Sequence, residues 1–338
     1  MKKIRIIDST LRDGMHAVSH QLTPDQAAAI AAGLDAAGID TMEISHGDGL
    51  GGSSIQYGFA RASDNAYLAA AAKVVKRAKI AVLLIPGIGT IEHLKEAMEH
   101  GIKTVRVATH VTEADVGEQH IGFAKKNGLE AVGFLMMAHM VPPAKVAEQA
   151  KLFESYGADY INVADSAGAM LPDDVRARIA AVREAVSVPV GFHAHNNLAL
   201  AIGNALAAIE AGATVLDATL RGFGGGAGNA QLEVLAAVLD KAGYATGIDF
   251  YKAMDVAAAC VDPIMLRPQI VSNDALAIGY AGAYSTFLLH ARRAAEKFGV
   301  DARDILVEMG RRRTVGGQED LIIEVALELA KAKQSKLA

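Results

Sequence analysis

The sequence contains one cysteine, Cys260, which excludes a disulfide within the chain and any cysteine-rich zinc site. That thiol lies in the apolar run Val256-Ala-Ala-Ala-Cys260-Val261, where a buried structural role is expected. No apolar run reaches the roughly 18 residues that suggest a membrane span. Blocks of like charge are also absent. The basic start Met1-Lys-Lys is not followed by a small-residue cleavage site, so no signal peptide is expected. These absences point to a cytoplasmic protein. The net charge of −5, from 33 basic and 38 acidic residues, argues against a nucleic-acid or anionic-membrane surface.

What is present is a long, regular alternation. The chain has 338 residues, half of them hydrophobic, enough for one large domain and a small one. Short apolar runs read as strands at Ile4–Ile7, Thr41–Ser45, Ile80–Ile85, Thr104–Ala108, Glu130–Met137, Tyr160–Ala164, Val188–His193 and Thr214–Thr219. Alanine-rich amphipathic stretches separate them. Examples are Thr23–Ala37, Ala62–Ala78, Ala144–Tyr156, Pro172–Ala185 and Leu198–Ala211. Thr23 before Pro24 is a helix start, with an N-cap and proline in the first turn. Eight βα units in roughly 240 residues fit a (β/α)₈ barrel. A doubly wound sheet would carry a glycine-rich loop after the first strand, whereas here that loop is Ser9-Thr10-Leu11-Arg12-Asp13.

After about residue 245 the strand signals stop. Asp249–Ala258, Ala275–Gly279, Tyr284–Phe298, Ala302–Glu308 and Glu319–Lys333 read as helices. The expected organisation is a barrel over residues 1–245 and a small helical domain over 246–338.

Two stretches carry the chemistry. Ile7 to His16 places Arg12, Asp13 and His16 directly after the first strand. Phe192 to Asn197 places His193 and His195 at the end of the seventh. Residues two apart on a strand share a face, and at the C-terminal end of a barrel strand that face looks into the mouth. Asp13 would stand two places round the closed barrel. Two imidazoles and a carboxylate with open positions form a catalytic metal arrangement, suited to Mn²⁺, Fe²⁺, Co²⁺ or Zn²⁺ rather than Ca²⁺.

Arg12 offers a planar fork to a substrate carboxylate or a developing enolate oxygen; a salt bridge at the rim is the competing reading. His16 has the basicity for proton transfer; His20 could substitute, or it faces solvent or a neighbouring loop. Ser166 can donate to a substrate oxygen. The loop Gly222 to Asn229 is read as a tight turn that lets other groups approach, with Asn229 capping the next helix. Met136, Met137 and Met140 are read as core filler. Leu83, Leu84 and Ile85 are candidates for an apolar pocket, and Tyr280 and Tyr284 for closing over the mouth.

Three segments resemble the pyruvate-handling metal-dependent barrels, which include isopropylmalate synthase, hydroxymethylglutaryl-CoA lyase and the 4-hydroxy-2-oxovalerate aldolases. They are Asp8-Ser-Thr-Leu-Arg-Asp-Gly14, His193-Ala-His195-Asn-Asn197 and Gly224-Gly-Gly-Ala-Gly-Asn229. The aldolases in particular are matched by Met15-His16-Ala17, Gly47 to Ser53, Gly279 to Tyr284 and Gly316 to Asp320. The similarity spans nearly the whole chain. It implies Mn²⁺, with Co²⁺ as an alternative, on Asp13, His193 and His195. It implies Arg12 as stabiliser of a pyruvate enolate and His16 as proton acceptor. Arg12, Asp13, Ser166, His193 and Tyr284 would contact substrate.

The implied reaction is class II retro-aldol cleavage of 4-hydroxy-2-oxopentanoate, and of 4-hydroxy-2-oxohexanoate, to pyruvate and acetaldehyde or propanal. The implied setting is meta-cleavage catabolism of aromatic or steroid compounds. The implied partner is an acylating acetaldehyde dehydrogenase, two chains of each, receiving the aldehyde by channelling; Gly316 and Gly317 are candidates for the wall of the passage. One alternative is a Claisen-type synthase or lyase using an acyl-CoA. The glycine loop lacks the cysteine that hydroxymethylglutaryl-CoA lyases carry there. A second alternative is a non-catalytic scaffold barrel, against which Arg12, Asp13 and His16 speak.

Overall fold

The computed structural model describes residues 2–284 and 287–337, with side chains to residue 335. Eight parallel strands close into a barrel in chain order: β1 (Arg5–Asp8), β2 (Thr41–Glu43), β3 (Lys79–Leu84), β4 (Thr104–His110), β5 (Glu130–Met136), β6 (Tyr160–Asp165), β7 (Val190–Ala194) and β8 (Val215–Ala218). Pairing of Arg5 with Val215 through Asp8 with Ala218 shuts the ring. The helices outside it are α1 (Pro24–Ala37), α2 (Asp64–Ala72), α3 (Ile91–Glu99), α4 (Glu118–Lys126), α5 (Pro143–Ser155), α6 (Pro172–Ala185), α7 (Ala201–Glu210) and α8 (Leu232–Lys241).

The local chemistry explains the element starts. The Thr23 hydroxyl accepts from the Gln26 amide, and the Gln26 side chain accepts from the Thr23 amide, a reciprocal cap ahead of Pro24. One expected helix is shorter than its pattern: α2 stops at Ala72, because Asp35 draws the amides of Lys76, Arg77 and Ala78 into a turn ahead of β3.

The strands bury both faces. Outward residues such as Ile6, Met42, Val82, Leu84 and Val107 join the layer beneath the helices. Inside the barrel, Ile7, Val132, Tyr160 and Val215 form one cluster, and Leu83, Ala108, Phe134 and Ala164 form another. Charged groups join them: Glu43, Arg106 and Asp217, from strands 2, 4 and 8, meet across the interior, each 3 % exposed or less.

Beyond residue 245 the chain first stays on the barrel. α9 (Phe250–Val256) packs on α1 and α8, and Cys260, in the wide turn Ala257–Val261, is half-buried rather than fully enclosed. Four further helices, α10 (Asn273–Ala281), α11 (Phe287–Phe298), α12 (Ala302–Arg311) and α13 (Leu321–Leu337), build a separate small core around Phe287, Leu306, Met309 and Ile322. The expected helix Tyr284–Phe298 includes residues 285 and 286, and the expected domain 246–338 includes residue 338; these three lie outside the described residues. Among the described residues, no helix is long and apolar enough to cross a membrane.

Candidate active site

The loop after β1 is held before it is used. The Asp8 carboxylate accepts from the amide and the hydroxyl of Thr10, both at 2.9 Å, and the Thr10 hydroxyl accepts from the Leu220 amide at 2.8 Å. That ties the end of β1 to the end of β8. A 3₁₀ turn, Asp13–Val18, then presents Asp13 and His16 to the barrel mouth.

Asp13 and the two histidines of β7 converge. Nε2 of His193 and of His195 lie 3.6 and 3.7 Å from the same oxygen, Asp13 Oδ2. Donors about 2.1 Å from a tetrahedral or octahedral ion sit roughly 3.0–3.4 Å apart, so this set is close to ligating geometry. Asp13 Oδ1 and His195 Nδ1 are buried with no hydrogen-bond partner among the described residues. The two-nitrogen, one-oxygen set fits a divalent transition ion. Burial works against the Asp13 charge, but Arg12, then His195 and His193, outweigh it and hold the carboxyl below the usual range. Burial pushes His195 down to about 4, against the pull of Asp13, so its imidazole is neutral and able to ligate near neutral pH.

Behind this cluster lies a buried charge chain. Asp217 Oδ2 accepts from His193 Nδ1 at 2.9 Å and from Asn162 at 3.2 Å, and it pairs with Arg106. Arg106 Nη1 lies 3.2 Å from Glu43, whose Oε2 accepts from Arg12 Nε at 2.7 Å. Arg12 Nη1 donates to Asp13 at 2.8 Å. Arg12 is therefore ion-paired, as the competing reading expects, and it also lines the cavity. Nη2 is left without a hydrogen-bond partner among the described residues. Glu43, Arg106 and Asp217 were not singled out from the sequence, although a lone charge inside an apolar strand was the available signal.

The cavity at the mouth measures about 520 Å³. Arg12, Asp13, His16, Ser166, His193, His195 and Tyr284 all line it, so every expected site residue reaches one space. Ser166 Oγ accepts from the Met137 amide at 3.0 Å. Tyr284 reaches over from the helical region, its hydroxyl 3.9 Å from the Met136 sulfur, and burial pushes its phenol up so that it stays protonated.

Several expectations change. Leu83 and Ile85 face the cavity, but Leu84 points to the helix layer, as strand alternation requires. Met136 lines the cavity instead of filling the core. Tyr280 is 80 % exposed and takes no part in the lining. Asn229 does not cap α8, which Gln231 precedes; its amide donates to the Phe223 carbonyl at 3.2 Å inside the glycine loop. A side chain on Gly224 would come 2.3 Å from Asn229 Nδ2 and 2.9 Å from Asp13 Oδ1, so that loop does let groups approach closely. Of the two positions expected for His20, it takes the neighbouring loop: it is buried at 5 % exposure and stacked on His46, which follows β2.

A closed parallel barrel with ionisable side chains gathered at its C-terminal mouth is the architecture of a barrel enzyme. Comparison with known proteins narrows that class. Residues 3–260 match the HMGL-like family and residues 269–331 the DmpG-like communication domain. A 4-hydroxy-2-oxovalerate aldolase of Carboxydothermus hydrogenoformans is 69 % identical over 98 % of this chain and 99 % of its own. One from Moorella thermoacetica is 68 % identical over 98 % of each. Among solved structures, the carboxyl transferase domain of Rhizobium etli pyruvate carboxylase superposes with a TM-score of 0.81 at 17 % identity, covering 98 % of this chain and 61 % of that one. The HMG-CoA lyase of Brucella melitensis superposes at 0.69 with 19 % identity, covering 79 % and 100 %; at such identities the likeness is one of fold. The chain belongs to the HMGL-like family and, within it, to the 4-hydroxy-2-oxovalerate aldolases, which are lyases.

Proposed function

We propose that this enzyme is a class II, divalent-metal-dependent aldolase that cleaves 4-hydroxy-2-oxopentanoate, and also 4-hydroxy-2-oxohexanoate, to pyruvate and a short aldehyde. The observation that carries this reading is the convergence of Asp13, His193 and His195 on one point of a cavity that also holds Arg12 and His16. Asp13, His193 and His195 would hold Mn²⁺, or Co²⁺ in its place. The ion would supply Lewis acidity toward the 2-oxo acid and help bind its carboxylate end.

The chain's own residues do the rest. Arg12, locked by Glu43 and Asp13, aims its remaining guanidinium edge at the oxygen where enolate charge develops. His16 takes the C4-hydroxyl proton. The C3–C4 bond breaks, the aldehyde carbonyl forms, and the bonding electrons pass into the pyruvate enolate. Protonation at C3 completes pyruvate. Ser166 and Tyr284 position the substrate, and Leu83 and Ile85 offer an apolar wall to its aldehyde end.

The match to a communication domain supports a second part of the proposal. The helical region within residues 246–338 would dock an acylating acetaldehyde dehydrogenase, two chains of each, and pass the aldehyde on by channelling. The reading places the enzyme in the cytoplasm, in meta-cleavage catabolism of aromatic or steroid compounds. The test is an assay of the purified chain with Mn²⁺ and 4-hydroxy-2-oxo acids of graded length. Stoichiometric pyruvate and aldehyde support the aldolase. Thiol release from acetyl-CoA with a 2-oxo acid, and no cleavage, would move the enzyme to the acyl-CoA-using synthases and lyases.

A further inference from the structure

A second group of metal-binding side chains stands at the same mouth. His20 follows the 3₁₀ turn with φ at 61°, directly after Ser19 at 50°. Two consecutive non-glycine residues in the left-handed region are strained, and the result is a histidine turned inward. Its ring stacks on His46 at 3.8 Å and meets His16 edge-on at 5.0 Å. His20 Nδ1 is buried with no hydrogen-bond partner among the described residues. A ligating histidine needs one ring nitrogen left open to the ion, and this one is open.

His46 is excluded as a ligand. Its Nε2 donates to the Gly58 carbonyl at 3.0 Å, and its Nδ1 accepts from the Asp48 amide at 3.1 Å. It serves as the platform under His20. One nitrogen each of His16 and His20 and one oxygen of Asp48 lie within 4.8 Å of one another. Gly47 makes room for them: a Cβ there would come within 2.6 Å of His20 Cε1 and 2.7 Å of His16 Nε2.

We propose that His16, His20 and Asp48 form a second divalent-cation site, separate from Asp13, His193 and His195, that takes a borderline ion such as Zn²⁺ and silences the enzyme by occupying the His16 imidazole. Two imidazoles and a carboxylate suit Zn²⁺. Its ligands stand roughly 3.4 Å apart, so the three donors, within 4.8 Å of one another here, would draw together around the ion. The silencing rests on His16 as the proton acceptor; the binding does not.

The test is equilibrium dialysis of the full-length, chelator-treated chain against Zn²⁺, with circular dichroism as the fold control. Wild type binds two ions, Asp13→Ala one, and Asp13→Ala with His20→Ala none. Asp13→Ala with Asp48→Asn, the gentler variant, weakens the remaining ion by about 100-fold or more, as loss of a ligand exceeds the loss of a supporting partner. In turnover with Mn²⁺ held in excess, Zn²⁺ inhibits wild type, and His20→Ala needs at least tenfold more Zn²⁺ for the same fractional loss. One Zn²⁺ per wild-type chain, or equal binding by Asp13→Ala with and without His20→Ala, overturns the site. Two ions bound with turnover unaffected leaves the site and overturns the silencing, together with the role of His16 as base.

Discussion

His193 gives its Nδ1 proton to Asp217 at 2.9 Å, and this turns its Nε2 toward Asp13, 3.6 Å away. A carboxylate can only accept, so the bond fixes the tautomer that leaves the Nε2 lone pair for an ion. Asp217→Asn is therefore expected to lower metal affinity by roughly 10–100-fold. It also leaves the buried Arg106 with less counter-charge, so stability should fall as well. Metal titration at a temperature where the variant is folded separates the two effects. Unchanged affinity would mean that Asp217 serves Arg106 alone.

Arg12 and His16 should fail differently. Arg12→Lys keeps charge but loses the fork that spans Glu43 and Asp13, and kcat should fall by about 100-fold or more. His16→Ala should lose turnover and the acidic limb of the pH–rate profile, because protonation of the base produces that limb. Hydrogen exchange at the pyruvate methyl group should need the metal and Arg12 but not necessarily His16. A His16→Ala enzyme that keeps the wild-type acidic limb would shift the role of base to another residue.

Asp8 provides a pH test of the scaffold. Burial, against two hydrogen bonds from Thr10, raises its carboxyl from 3.8 to about 7. The folded state thus binds the proton more tightly than the unfolded one. The stability this adds is present below pH 3.8 and is lost as pH rises through 7. Asp8→Asn keeps the shape and has no such loss. From pH 5 to pH 8, wild type should lose on the order of 2–3 kcal/mol relative to the variant in urea unfolding. A pH-independent difference would show that Asp8 is ionised in the fold throughout.

The two neighbouring glycines of the helical region should also differ. A Cβ on Gly316 would lie 3.3 Å from the Tyr284 ring, whereas Gly317 faces open space at a φ of 94°. Gly316→Leu should displace Tyr284 and raise KM for the hydroxy-oxo acid. Gly317→Phe, in a complex with the dehydrogenase, should spare pyruvate formation but let more aldehyde reach an external trap, with some thermal destabilisation from the backbone. Equal trapping from wild type and variant would take Gly317 off the route, and failure to co-elute would remove the partner.

The barrel was legible because short, largely apolar runs alternate regularly with alanine-rich helical stretches, and the pairing follows chain order. The metal cluster was legible because His193 and His195 are two apart at a strand end. The charge chain from Arg12 to His193 was not. Glu43, Arg106 and Asp217 sit on strands 2, 4 and 8, and no local spacing says that they meet inside the ring. The same limit hid Asn229, whose partner is a carbonyl of its own loop rather than a helix start, and His46, whose two nitrogens are fixed by loop backbone.

Metal dependence at Asp13 is the centre of the account, and one measurement tests it most directly. Pyruvate release from 4-hydroxy-2-oxopentanoate is followed for chelator-treated wild type and Asp13→Ala as Mn²⁺ is added back from limiting amounts. Wild type should be inactive without the ion and recover fully at about one equivalent, while Asp13→Ala stays inactive although folded. Undiminished turnover without metal, or recovery of Asp13→Ala at the same Mn²⁺ concentration as wild type, would contradict it.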